Sequence, residues 1–440
     1  MRKALFMLDY LNILSDQRDE LLSIDSSLWI DRKPASLIDL NSSLAQIVIG
    51  VRRSGKSTLC LKRLKESKVN FAYVNFDDER FYGAKSTDLD KILSGAYRIY
   101  GDFTHLFMDE VQNVEGWHLF VNRLLRSGMK IILTGSNANL LSGELSTHLT
   151  GRYHQIELMP FSFEELCSLR GVDTKSLSTK SVALRQHLLD EYFRIGGLPE
   201  LHSNAGIPLT VARTEVPDSY LPSLIHAVVY KDVCKRYNVR YPQTLWQMTN
   251  MILDNFCQEI SFNAIANALS IASVHTVKRY VDYLVEAYLI CRVPKFSFKS
   301  VLRQSASKAY AIDPAFVTLR GQTIMGDNFG WMLENVVYIE LRRRFHLETQ
   351  SIYYLRQTDF EVDFVVCEAG KVIRLYQVSY DWSSPNIKQR RRELGGLVKA
   401  ARMTGCHDLC LIVYEGSASN TEYEGERIEI CRASDWLPMK

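Results

Sequence analysis

The chain of 440 residues carries a formal net charge of +3, with 46% hydrophobic and 23% charged residues. Its length exceeds a single compact core and predicts roughly two to four globular domains. Mild basicity permits nucleic-acid binding without arguing for it, and with no run of about 18 apolar residues a spanning helix and a membrane partner are not expected.

Nine cysteines, odd in number and scattered, predict a reducing cytoplasm, since a chain of this size needs no staples. Cys406 and Cys410 frame CHDLC, yet no second pair of ligands follows at metal-site spacing, so buried structural cysteine is the expectation. The opening MRKALFMLDYLNIL has the outline of a leader peptide. Asp9 and Asn12 interrupt its apolar run and no small-residue cleavage site follows, so an amphipathic helix is expected instead.

The strongest signal is IVIGVRRSGKSTLC. Ile47, Val48 and Ile49 read as a short buried strand and STLCLKRLK as a helix, which is the setting a phosphate-binding loop requires. Gly50 and Gly55 allow a tight turn whose N–H groups point at phosphate from the helix N-terminus. The expected nucleotide-binding set is Gly50, Arg52, Arg53, Ser54, Gly55, Lys56, Ser57 and Thr58. Lys56 is expected to reach the β- and γ-phosphates of ATP, and Ser57 to coordinate Mg²⁺.

A second element should supply an acid at the end of a neighbouring strand, and HLFMDEVQNV does so. Asp109 would hold the metal's water shell and Glu110 would orient or deprotonate the attacking water. A third strand, MKIILTGSNANLL, ends on Ser136 and Asn137. Two readings of these stand: groups that sense the γ-phosphate, or a turn and N-cap for the next helix. Arg152 likewise reads as an arginine finger or as a structural arginine paired with a carboxylate. Farther on, Gly197-Leu198-Pro199 in YFRIGGLPE reads as a rigid turn.

GVRRSGKST, FMDEVQNVEGW, TGSNANLLSGEL, GRYHQIELMPFSFEEL and GGLPE, in this order, resemble a large group of prokaryotic AAA-type ATPases related to the STAND signalling ATPases. The resemblance covers the whole chain. It implies that the turn at Gly197 and Pro199 approaches the adenine, and that the C-terminal domain resembles a restriction-endonuclease-like fold.

After Pro242 come three helical patterns, with Ser261 and Ser273 as N-caps of the second and third, and two alternating stretches, CRVPKFSF and SKAYAID, that suit the wing of a winged helix-turn-helix. His275, Thr276, Lys278 and Arg279 would face a major groove in a DNA reader, although Asp282 and Glu286 dilute the field; a protein-packing spacer is the other reading.

From Phe329 an amphipathic helix carries Glu334 and Glu340 near its inner edge and ends on Arg342, Arg343 and Arg344, which suit the helix dipole. FEVDFVVCEAGKVIRLYQVSY then reads as a hairpin with Glu361 and Asp363 on one face, followed by a basic helix and a last strand, LCLIVY. KQRRR reads as a phosphate contact or as a solvated helix face. The resemblance matches Asp363 and Glu334 to metal-binding acids, but where a nuclease carries Glu-x-Lys this chain has Gln377 and Ser379. An amide and a hydroxyl supply neither the carboxylate nor the cation that phosphodiester cleavage needs, so an inactive nuclease-like fold is expected, with Glu361 or Lys371 as candidates to migrate into the role.

The expected architecture is α/β: a P-loop ATPase core at 1–170, a helical lid at 171–240, a winged helix-turn-helix at 241–325 and a nuclease-like domain at 326–440. The expected function is a Mg²⁺-dependent ATPase acting as a nucleotide-driven switch on a protein or DNA partner, with oligomers possible. The alternatives are a DNA-processing enzyme with a live cutting site and a scaffold that binds nucleotide without hydrolysing it.

Overall fold

In the computed structural model, residues 2–25, 29–136, 149, 151–202, 219–299, 306–318, 328–345, 349–380, 382, 387–416 and 418–439 are described. The chain divides into two compact units, 1–159 and 160–440.

The first unit is built on five parallel strands: β1 (Ala45–Ile49), β2 (Phe71–Asn75), β3 (His105–Asp109), β4 (Lys130–Gly135) and β5 (Tyr153–Glu157), in the order β2-β3-β4-β1-β5. β1 and β3 are buried along their whole length, as strands covered on both faces must be, which is why each contains a short apolar run, Ile47, Val48 and Ile49 in one and Leu106, Phe107 and Met108 in the other. Val48, Phe107, Ile132 and Ile156 pack with Leu59, Leu61 and Leu64 of the helix Lys56–Glu66. The N-terminal helix, Arg2–Ser23, forms as expected, burying Ile13, Leu14 and Leu21, while its Gln17 bonds the end of β2 through Asn75. Because β4 lies between β1 and β3, the carboxyl ends of these three strands are neighbours, and the loops leaving them meet at one edge.

The second unit begins with the helices Phe163–Leu169 and Thr179–Ile195. Ser162 and Glu165 close a reciprocal capping box on the first, and Ser178 caps the second. Tyr220–Ala227 runs on as a π-helix, Val228–Cys234. The three helical patterns after Pro242 form as Pro242–Asp254, Phe262–Ala268 and Val274–Glu286. Ser261 caps the second through the Ala264 N–H, whereas Ser273 makes no side-chain capping bond. β6 (Ile290–Pro294) and β7 (Ser307–Ala311) then pair antiparallel. β7 is buried throughout, so it belongs to the core rather than to an exposed ribbon. The Asn335 amide grips its end, donating to Ala311 O and accepting from Ala311 N.

The last sheet contains β8 (Gln350–Arg356), β9 (Glu361–Glu368), β10 (Lys371–Ser379), β11 (Leu409–Val413), β12 (Ser419–Tyr423) and β13 (Glu426–Arg432), ordered β12-β13-β11-β10-β9-β8. The expected hairpin is β9–β10, turning through Ala369 and Gly370, both at positive φ. The helix Ile387–Thr404 covers one face, where Leu394, Leu397 and Val398 meet Leu409, Leu411 and Val413. LCLIVY is not the last strand. A further hairpin, β12–β13, returns beside β11, because Ile428 and Ile430 alternate with polar residues and bury against the same helix.

The three arginines ending the helix Phe329–Arg344 do more than meet its dipole. Arg343 donates to the carbonyls of Pro160 and Phe161, and Arg344 to Glu340 and to the carbonyls of Trp436 and Leu437. Arg342 reaches the Cys291 sulfur. They tie chain segments together, which a fully solvated helix end would not do.

Candidate functional site

Gly50 to Lys56 wrap the mouth of β1 before the helix Lys56–Glu66 begins. Gly55 takes φ +90° and Arg53 φ +68°, so the loop turns through the left-handed region twice. Gly50 has a different necessity: a Cβ there would lie 2.1 Å from Leu158 O, so only glycine lets β1 leave the sheet at this point. Lys56 curls back into the loop, its ammonium 3.2 and 3.1 Å from the carbonyls of Gly50 and Val51. The Ser54 hydroxyl is buried with no hydrogen-bond partner among the described residues. A buried orphan donor in a cradle of backbone N–H groups, beside a lysine, fits a phosphate ligand.

Ser57 Oγ donates to Asp109 Oδ1 at 2.9 Å, bringing together the two residues expected to hold a metal ion from positions 52 residues apart. Asp109 is buried and also accepts from Tyr73 OH at 3.2 Å and from Thr134 Oγ1. Burial pushes its carboxyl up from the ordinary value, and the Thr134 and Ser57 hydroxyls oppose that by favouring the charged form. Hard oxygen donors of this kind suit Mg²⁺. Glu110 follows in the left-handed region at φ +50°, with its N–H on Thr134 Oγ1 at 3.0 Å, its Oε2 held by the Gln112 amide and its Oε1 4.0 Å from the Lys56 ammonium. Thr134, Tyr73 and Gln112 had no signature of their own in the sequence. Thr134 and Tyr73 become visible once β2, β3 and β4 are known to be neighbours.

Ser136 is buried at the end of β4, between the loop and Asp109 in strand order; Asn137 lies outside the described residues. Arg152 is exposed, and its guanidinium bonds the Asn122 side-chain oxygen at 2.5 Å rather than a carboxylate. Arg52 lies 3.6 Å from Asp77.

In the second unit, the turn at Gly196 and Gly197 is shaped by Asp313. A Cβ on Gly196 would lie 1.8 Å from Asp313 Oδ1, and one on Gly197 2.2 Å from Phe161 O. The Gly197 N–H donates to Asp313 Oδ2 at 2.8 Å, and Pro199 opens a short 3₁₀ turn, Pro199–His202.

The acids of the last sheet form a buried cluster. Glu334 and Asp363 come together as expected, but between them stands Lys308 of β7, its ammonium 3.0 Å from Glu334 Oε1, 2.8 Å from Glu361 Oε1 and 3.9 Å from Asp363 Oδ1. Tyr310 OH donates to the same Glu334 oxygen at 2.7 Å. Gln377 accepts from the Asp363 N–H at 3.3 Å and donates to Glu393 Oε2 at 2.7 Å. Asp363 Oδ2 accepts from the Val378 N–H. Burial, then the Glu334 charge, pushes the Asp363 carboxyl well up; burial works against the Lys308 cation, yet Glu334, Asp363 and Glu361 hold it above its ordinary value. Ser379 joins this cluster only at its margin, with its hydroxyl 3.5 Å from Gln389 Nε2. Lys371 is exposed at the opposite end of β10, so it does not migrate into the site. Lys308 and Glu393 were missed by sequence reasoning because each reaches the cluster from a separate element.

On the third of the three helices, His275, Lys278 and Arg279 are exposed and Thr276 is half-buried. Lys278 sits over the Phe262 ring, and Asp282 pairs with Arg292 at 2.7 Å.

A family model described as an AAA domain matches residues 42–167. Two domains of unknown function, DUF8612 and DUF4143, match residues 186–322 and 329–432. The uncharacterized protein MJ1544 of Methanocaldococcus jannaschii is 32% identical over 371 residues, covering 83% of this chain and 80% of that protein. An uncharacterized protein of Haemophilus influenzae is 29% identical over 419 residues, covering 90% and 95%. Among solved structures, the Walker-type ATPase of Pyrococcus abyssi aligns with 14% identity and a TM-score of 0.42, over 67% of this chain and 96% of that one. The Thermotoga maritima RuvB Holliday junction branch migration motor aligns with 17% identity and a TM-score of 0.25, over 57% and 82%.

Proposed function

This chain belongs to the family of the Methanocaldococcus jannaschii protein MJ1544 and carries an AAA domain of P-loop ATPase type, and on that premise we propose that it hydrolyses ATP with Mg²⁺ and acts as a nucleotide-driven switch on a partner. The observation that carries the reading is the Ser57–Asp109 hydrogen bond at 2.9 Å, beside a loop whose lysine and orphan Ser54 hydroxyl face inward. Ser57 and Asp109 would hold the ion, and the cation would neutralise charge on the β- and γ-phosphate oxygens. Lys56 and the loop N–H groups, from Gly50 through Thr58, would bind the phosphates. Glu110 would release the Gln112 amide to orient water. Ser136 and Asn137 are the candidate γ-phosphate sensors and Arg152 the candidate finger, exposed as a finger acting in trans must be. The resemblance implies that the turn at Gly197 and Pro199 would approach the adenine.

The middle helices and β6–β7 act as a winged-helix module and the last sheet as a nuclease-like module without cutting activity. Lys308 supports this second point, because an ammonium seated among the acids competes with any metal ion there. A protein or nucleic acid is the partner, and this reading predicts a cytoplasmic protein.

The test is turnover and nucleotide retention measured together. Lys56→Ala should lose ATP binding, and Glu110→Gln should retain ATP while hydrolysis falls by orders of magnitude. Wild-type turnover in Glu110→Gln would remove Glu110 from the role and leave a nucleotide-binding scaffold as the better account.

A further inference from the structure

CHDLC offers one cysteine pair along the chain, and no second pair follows it in sequence. The sheet supplies a different partner. β11 and β13 run parallel with Cys410 opposite Glu429 and Ile412 opposite Cys431. Since side chains alternate across a strand, Cys410, Glu429 and Cys431 share one face, the one turned away from Leu409, Leu411, Ile428 and Ile430 in the core. Their donor atoms all lie within 4.8 Å of one another.

We propose that Cys410, Glu429 and Cys431 form a binding site for one divalent cation of the zinc class. Two thiolates and a carboxylate are a soft-to-borderline donor set, which selects zinc-like ions over Mg²⁺ and Ca²⁺. A tetrahedral centre with metal–sulfur bonds of about 2.3 Å fits within the donor spacing. Both cysteines are buried, whereas Glu429 is half exposed, so protein closes one side of the centre and water reaches the fourth position from the other. Arg374 lies where a supporting charge is needed: its Nη2 is 2.5 Å from Glu429 Oε2 and its Nε 3.3 Å from Asp408 Oδ1. It aims the carboxylate and balances the single negative charge left by two thiolates, one carboxylate and a dication. When Glu429 turns to the ion, Asp408 still pairs with Arg374. The site is independent of the nucleotide chemistry of the first unit.

The experiment titrates the reduced, chelator-treated full chain with Co²⁺ alone, following thiolate-to-cobalt absorption in the near ultraviolet and tetrahedral bands in the visible, and then displaces cobalt with Zn²⁺. One equivalent per chain is expected. Cys410→Ser and Cys431→Ser should each abolish the thiolate band. Glu429→Gln, at an exposed position with no burial to disturb, should bind at least tenfold more weakly, and Cys406→Ser should bind as wild type. Circular dichroism shows which variants are folded; should both buried variants unfold, the Glu429→Gln and Cys406→Ser comparison decides. Absence of a thiolate band at one equivalent, a band that survives in folded Cys410→Ser and Cys431→Ser, or equal affinity in Glu429→Gln and wild type would overturn the proposal.

Discussion

Lys308 and Glu334 face each other across 3.0 Å in the interior of the second unit, one on the buried strand β7 and the other on the helix Phe329–Arg344. The pair holds β7 to that helix, and the same ammonium also reaches Glu361 and Asp363 of the last sheet. Removing the cation leaves Glu334, Glu361 and Asp363 facing one another without it. Lys308→Met should therefore cost about 3–5 kcal/mol in urea unfolding. Adding Glu334→Gln to Lys308→Met should recover part of that stability, with a coupling of about 1 kcal/mol or more. An unchanged midpoint in Lys308→Met would show that the cluster does not depend on this ammonium.

Asp313 gives a signed pH dependence. Burial pushes its carboxyl up to about 6 from the ordinary 3.8, against the Gly197 and Ala315 N–H groups and the nearby Arg343 cation. The folded state thus holds this proton more readily than the unfolded chain. The contribution of Asp313 to stability should rise as pH falls through 6 toward 4, by up to about 3 kcal/mol, and disappear as pH rises again. Subtracting the unfolding free energies of Asp313→Asn from those of wild type isolates the effect. Curves that run parallel from pH 4 to 7 would contradict it.

If the helix Ile387–Thr404 meets nucleic acid, the attraction is electrostatic. Arg391 and Arg392 are exposed, and Arg390 lies over Trp382. Replacing all three with Ala should weaken DNA binding and flatten its salt dependence, by roughly one released counterion for each phosphate that an arginine had neutralised. An unchanged slope would assign them to a solvated face, and no binding at low salt would favour a protein partner.

No cleavage of supercoiled plasmid is expected with Mg²⁺ or Mn²⁺. Gln377 is neutral, Ser379 stands at the margin, and Lys308 occupies the space among the acids. Wild type should match Asp363→Ala in inactivity. Nicking that appears in wild type and vanishes in Asp363→Ala would establish a live site and overturn the inactive reading.

The sequence by itself determined the phosphate-binding loop, the strands on either side of it and the acids at the end of β3. Those features are local: a loop of fixed spacing between an apolar run and a helix, and a carboxylate directly after a buried strand, each carry their geometry in consecutive residues. The β9–β10 hairpin was legible for the same reason, since alternation and a turn glycine specify pairing between neighbours in the chain.

Only the tertiary structure decided which distant side chains meet. Lys308 reached Glu334 and Asp363 because β7 is buried against the last sheet, and Glu393 reached Gln377 from a helix packed over it. Cys410 found Cys431 through the register of β11 and β13, a relationship with no period in the sequence. Packing likewise gave Arg343, read in the sequence only as a match for the helix dipole, the carbonyls of Pro160 and Phe161 as partners. A charge in a sequence is neutral about its partner; desolvation makes a partner obligatory, and only the packed fold says which one is within reach.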